Sequence, residues 1–423
     1  MKKVLFASVA AIAFGAAAAQ AAEPVKLSIG GYATQWAGYA SNSDTAVYGT
    51  STGPMGNYGS ATSGAAANQR SKFDVQDDVQ INFTGSTKLD NGIGVSVEVD
   101  TMGTQGENTH TQNAGNKDVK KSFVAVSSAY GTVEAGEQDN VGALIHVSSP
   151  DVGGIGGQDG NWMNWVIAPS NFAETNQRTY AGDDRSANKI IYVSPTWQGL
   201  TAGFSYTPSI NTASTGHTSI VSSNNVVSTG NTNGTGVLGS NYLLNGDLYV
   251  YGVAYANTFG DVSVKADAGS GNAAAANLHV YQGGLNVSYK GFTLGGSALK
   301  RDADTDISSK TNGIGGLGLT GYQVGQAAEL GTLYDAGLSY ATGPYAVSLT
   351  WFHGEALNAS VSSSYNEKKY DTDHALTLAG AYDLGPGVKL TESIFTVDYK
   401  SADNSQADKN NGWAAITGIG VTF

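Results

Sequence analysis

The stretch RSKFDVQDDVQINFTGSTKL, Arg70 to Leu89, alternates polar and apolar side chains with a period of two. Phe73, Val75, Val79, Ile81 and Phe83 fall on one face; Arg70, Lys72, Asp74, Gln76, Asp78, Gln80 and Asn82 fall on the other. That period marks an extended strand whose two faces meet unlike surroundings. Asp77 breaks the apolar row. Asp90-Asn91-Gly92 is a tight-turn signal. The return strand puts Ile93, Val95, Val97 and Val99 on one face and Ser96, Glu98 and Asp100 on the other. The unit is a long hairpin, apolar on one side and charged on the other. A soluble protein with the charged face turned inward would have no core to hold it together.

The same pattern recurs along the chain. Strands are expected over Val25–Tyr39, Asp118–Tyr130, Thr132–Gln138, Ala187–Pro195, Leu200–Pro208, Leu248–Asn257, Val262–Asp267, Asn277–Tyr289 and Phe292–Leu299. They continue over Leu330–Tyr340, Tyr345–Phe352, Thr372–Tyr382, Val388–Tyr399 and Gly412–Phe423, which with the first hairpin makes sixteen. Their connections are asymmetric. Short turns alternate with long insertions, at Ala40–Gln69, Gly103–Lys117, Asp139–Ser186, Ser209–Asp247, Lys300–Glu329, His353–Asp371 and Ser401–Asn411. Several loops of that size on one side of a compact soluble domain would be unusual. Alternating segments of about ten residues, short turns at one end and long loops at the other are the signature of a transmembrane β-barrel. Closure pairs every backbone group in hydrocarbon and removes the sheet edges. The expected fold is therefore all-β, a 16-stranded antiparallel barrel, apolar outside and polar inside.

Composition agrees. The opening MKKVLFASVAAIAFGAAAAQAAEPV has Lys2 and Lys3, an apolar run, and Ala19-Gln20-Ala21 before a cleavage between Ala21 and Ala22. That is a secretory signal peptide, residues 1–21, followed by a single unit over 22–423. No later segment has the roughly 18 consecutive apolar residues of a spanning helix. There is no Cys, hence no disulfide framework. The formal charge is −13; removing Lys2 and Lys3 leaves 20 basic against 35 acidic residues, a net −15. Such a balance argues against nucleic-acid binding and favours the passage of cations.

The last strand places Trp413 and Phe423 on one apolar face, ten residues apart. Ten residues span roughly 33 Å along a strand. At a tilt of about 45° the rise is roughly 23 Å, close to the apolar band of about 25 Å around an outer-membrane barrel. The two rings fit the two interfacial girdles. Tyr32, Tyr130, Tyr192, Tyr289, Tyr340, Tyr382 and Tyr399, in or near strand ends, are further candidates for those belts.

The stretches Asn68–Asp100, Lys121–Asn140 and Arg185–Ser209, with the strand ending at Phe423, resemble the Gram-negative general diffusion porins, especially those of alphaproteobacteria. The likeness is diffuse between Ser209 and Ala328. It implies an outer-membrane homotrimer, in contact with outer-membrane lipid and lipopolysaccharide, that passes small hydrophilic solutes. It also implies that Phe423 belongs to the signal read by the barrel assembly machinery. The third long loop, 139–185, would fold into the lumen, its acidic residues set across from basic residues on the wall.

Passive diffusion needs no catalytic group and no cofactor; pore width and lining charge set selectivity. The candidate lining residues on the wall are Arg70, Lys72, Lys26 and Lys189. The alternation leaves the face of Lys189 open. On or beside the loop they are Glu137, Asp139, Asp151, Asp159, Arg178, Asp183, Asp184 and Arg185. The acidic surplus points to a mild cation preference. Trp162 and Trp165 admit a sugar-stacking strip or, more simply, packing of the loop on the wall. Asp302, Asp304 and Asp306 lack a calcium-loop spacing and read as a hydrated loop. The rival readings are a substrate-specific channel of the same fold and a surface β-rich adhesion protein. The latter leaves the turn asymmetry and Phe423 unexplained.

Overall fold

The computed structural model describes residues 24–43, 72–105, 119–157, 160–166, 168, 178–182, 187–208, 247–273, 278–303, 328–357, 369–400, 402 and 409–423. Sixteen strands form one closed barrel. They are β1 (Lys26–Asn42), β2 (Phe73–Lys88), β3 (Gly94–Gln105), β4 (Val119–Ser128), β5 (Gly131–Glu137), β6 (Asn188–Val193), β7 (Leu200–Thr207) and β8 (Leu248–Phe259). The second half is β9 (Val262–Ala273), β10 (Leu278–Tyr289), β11 (Phe292–Ala303), β12 (Ala328–Thr342), β13 (Tyr345–Leu357), β14 (Tyr370–Gly385), β15 (Val388–Lys400) and β16 (Lys409–Thr422). Between β5 and β6 lie a helix α1 (Val141–Ile145) and a 3₁₀ turn at Asn161–Asn164.

Each strand pairs antiparallel with its neighbours in sequence, and β1 pairs with β16. Gly31 N donates to Phe423 O at 2.9 Å and Phe423 N donates to Gly31 O at 3.1 Å. The terminal aromatic is thus built into the seam, with its ring outward and 61% exposed.

Burial alternates along the strands as the period-two pattern requires. In β13, Ser348, Thr350 and Phe352 are buried while Tyr345, Val347, Leu349 and Trp351 are exposed. The exposed faces are apolar because lipid is their solvent. Aromatic pairs ring this outer face: Tyr39 and Trp413 lie 5.6 Å apart, Phe292 and Tyr340 4.4 Å, Tyr345 and Tyr382 4.9 Å.

All sixteen expected strands are present, and several run further toward the long-loop end than their alternation. β9 extends through Ala268–Ala273 and β13 through His353–Leu357. Beyond the apolar band both faces meet polar surroundings, so the ladder continues after the sequence contrast has faded. Two belt tyrosines are corrected. Tyr32 shares the inward parity of Gly30 and Thr34, and its hydroxyl donates to Asp78 Oδ2 at 3.1 Å. Tyr399 is fully buried in the lumen, donating to Val166 O at 3.0 Å.

Candidate functional site

The lumen has two unlike walls among the described residues, and the described parts of the connection between β5 and β6 make the difference. The first limb of this loop begins at Asn140, whose side chain accepts Ala143 N at 3.2 Å and caps α1. Val141 N donates to Ser205 Oγ on β7 at 3.3 Å. Val147 N donates to Asp267 Oδ1 on β9 at 2.7 Å, and Ser149 N to Asp335 Oδ1 on β12 at 2.9 Å. Val152 N donates to Ser348 Oγ on β13 at 3.1 Å. Trp162 then packs on Phe352 with ring centroids 5.1 Å apart. Beyond it, Asn42 Nδ2 on β1 donates to Trp165 O at 3.3 Å, and Gln76 Nε2 on β2 donates to Asn164 O at 3.0 Å. The loop therefore follows the inner wall from β7 round to β1 and the upper end of β2. A return limb, 178–182, lies back against β10–β12 through Ala181 N to Gln282 Oε1 at 2.6 Å and Thr179 Oγ1 to Ser297 Oγ at 2.6 Å.

Glycines make this close approach possible. A Cβ at Gly284 on β10 would collide with the Val147 carbonyl, and one at Gly156 in the loop would collide with Thr350 and Thr377. Trp162 and Trp165 are both buried, so they pack the loop onto the wall and present no stacking strip.

Along β2–β5 the described loop contacts are few, and the inward faces there are acidic. Asp74 and Asp78 on β2, Glu98 and Asp100 on β3, and Glu134 on β5 share the inward parity. Asn82 Nδ2 donates to Asp100 Oδ1 at 2.7 Å and Gln80 Nε2 to Asp100 Oδ2 at 3.0 Å. Lys120 Nζ donates to Gln80 Oε1 at 3.1 Å. Lys121, opposite Asp100 in the ladder, pairs with Asp139 at the neck of the loop, Nζ to Oδ2 at 2.7 Å. A register shift between Asp100 and Thr101 accommodates the consecutive lysines.

The candidate lining residues are dispersed. Lys26 opens β1 at the short-turn end, exposed; Lys72 precedes β2 at the opposite rim, also exposed. Lys189 points inward, 3% exposed, and its Nζ donates to the carbonyls of Gln138 and Ala187, stapling the loop neck. Glu137, at the end of β5, is buried, and Asp139 holds Lys121. Asp151 is spent on loop shape: Oδ1 accepts Gly153 N at 3.1 Å and Oδ2 accepts Gly156 N at 2.8 Å. Arg178 stands half-buried beside Thr179 on the return limb. Arg70, Asp159, Asp183, Asp184, Arg185, Ala21 and Ala22 lie outside the described residues, as do Asp304 and Asp306; Asp302 pairs with Lys300 at 3.0 Å. Sequence reasoning placed Asp74, Asp78, Glu98 and Asp100 on the inward face without selecting them, and it missed Glu134, Lys120 and Lys121. Parity along the strands was the signal available for the carboxylates.

A closed sixteen-stranded barrel with an apolar exterior, a charged interior and a loop laid inside it defines an outer-membrane pore. The sequence profile of the Gram-negative porins matches residues 7–410, and the chain belongs to that family. None of the curated proteins compared with the chain matches it significantly. Among solved structures it is similar to an anion-selective porin from Comamonas acidovorans, with TM-score 0.53, 14% identity, and coverage of 95% of this chain and 100% of that one. It is also similar to a loop L8 deletion mutant of OmpT, an outer membrane protein of Vibrio cholerae, with TM-score 0.51, 9% identity and coverage of 95% and 100%. A triple mutant of the Rh. blastica porin gives TM-score 0.51, 13% identity and coverage of 94% and 100%. At these identities the likeness is one of fold. The protein is an outer-membrane porin, a transport channel for small solutes and not an enzyme.

Proposed function

We propose that the protein is a general diffusion pore with a mild cation preference, set by the carboxylates of β2–β5 facing the loop-covered wall. The observation that carries this reading is the inward row Asp74, Asp78, Glu98, Asp100 and Glu134, against which the same wall sets Lys120 and Lys121. Fixed charge on a low-dielectric wall raises the local concentration of the opposite ion. Residues 139–185 act as the constriction, and the candidate charges of that loop and its rim, Arg70 and Lys72 included, modulate the field there. The mature chain begins at Ala22 and assembles as a homotrimer in lipid and lipopolysaccharide. Phe423 serves as the assembly signal.

The test is the reversal potential of the purified protein in a planar bilayer under a KCl gradient. A potential of the sign that favours K⁺, with large ohmic steps in threes, supports the reading. A potential favouring Cl⁻ removes the cation preference. Small steps blocked by one class of sugar or organic acid replace the general pore with a substrate-specific channel.

A further inference from the structure

The lumen of this barrel also holds carboxylates outside β2–β5, and their partners say what they are for. Asp267 on β9 and Asp335 on β12 are both buried. Asp267 Oδ1 accepts Val147 N at 2.7 Å, and its Oδ2 accepts Gln282 Nε2 at 2.9 Å and lies 3.3 Å from His146 Nδ1. Asp335 Oδ1 accepts Ser149 N at 2.9 Å, and its Oδ2 accepts Thr179 Oγ1 at 3.4 Å. Apart from Gln282 on β10, these partners are loop groups from both limbs.

The imidazole of His146 joins those limbs. Its Nδ1 faces Asp267 while its Nε2 lies 3.0 Å from Thr179 Oγ1, and its ring stands 5.9 Å from that of Tyr180. Gln282 makes a second bridge, donating to Gly142 O at 3.0 Å and accepting Ala181 N at 2.6 Å. Outbound limb, return limb and wall thus meet at one buried knot.

We propose that His146, with Asp267 and Asp335, is a positioning clamp that sets where the constriction loop lies, and that these two carboxylates play no part in charge selection. The inference rests on reading 139–185 as the constriction. Without the clamp, both limbs lose bonds to charged acceptors, which count for more than neutral ones. Loosened limbs would sample the remaining lumen and interrupt the current.

The experiment is single-channel recording of the full-length protein in planar bilayers, with liposome swelling in sugars of graded size. His146→Ala is expected to raise the frequency of brief closures by about tenfold, the scale of one lost charge-assisted bond, and to shift the sugar exclusion limit. The K⁺/Cl⁻ permeability ratio should stay unchanged. His146→Gln, which keeps polar reach toward Asp267 and Thr179, should restore quiet channels. The chain has no Cys, so a lock can be added cleanly. A Cβ at Gly203 would lie 3.5 Å from Val141 Cβ, within the usual range for a disulfide. Val141→Cys/Gly203→Cys, oxidised, should suppress the closures of His146→Ala, and reduction should bring them back. If His146→Ala fails to assemble, Thr179→Val carries the same expectation at smaller size. Wild-type closure frequency and exclusion limit in these variants would overturn the clamp, as would a shifted permeability ratio with no change in closures. Both readouts are independent of whether the wild-type pore prefers K⁺.

Discussion

The two walls of the lumen use the same residue types for different ends. On β9–β12, carboxylates are sealed against loop N–H groups and His146, and they hold backbone. On β2–β5, carboxylates share their face with Lys120 and Lys121 and with the side-chain amides of Gln80 and Asn82. An aspartate on a porin wall is therefore not a selectivity residue by position alone. What matters is whether its oxygens hold the loop's backbone, as those of Asp267 and Asp335 do; Glu134 on the other wall accepts the side chain of Gln138 at the loop neck.

The largest effect should come from reversing the charge of the β2–β5 wall. Glu98→Lys/Asp100→Lys is expected to change the sign of the reversal potential in a KCl gradient, and an unchanged sign would break the comparison. The neutral pair Glu98→Gln/Asp100→Asn should move the potential toward zero. That shift should shrink in strong salt, where the Debye length falls to about 3 Å from about 10 Å at 0.1 M. On the covered wall, Phe352→Ala should lower thermal stability through loss of the Trp162 contact. Aromatic-to-Ala changes in packed sites cost about 3–5 kcal/mol, and circular dichroism on heating would read the drop. Gly156→Val should press the loop away from Thr350 and Thr377, changing conductance at constant ion preference; overpacking of this kind costs about 1–3 kcal/mol. The smallest change is Lys121→Met. It releases Asp139 and removes a wall cation, so the K⁺ preference should rise slightly, as read by the same potential.

Most of the barrel was legible because lipid outside and water inside impose a period of two on nearly every strand. β2 and β16 declare both faces in sequence. The two misassigned tyrosines show how far that signal reaches. Tyr32 lies in phase with Gly30 and Thr34, and parity puts it inside whatever its ring suggests. The course of the loop was not legible. Its anchors join Val147 to Asp267 and Ser149 to Asp335 across 120 and 186 residues, and its resting places are glycines such as Gly203, Gly252 and Gly284, whose role is to be absent. No local period encodes such contacts. For the same reason Lys189 could be assigned to a strand but not to its task of stapling the loop neck.

The most direct measurement compares two double variants in one KCl gradient. Glu98→Gln/Asp100→Asn and Asp267→Asn/Asp335→Asn each remove two carboxylates from the lumen. The first should move the reversal potential toward zero with quiet channels, while the second should keep the wild-type potential and close more often. Equal shifts of potential in the two would contradict the division of the lumen into a selecting wall and a holding wall.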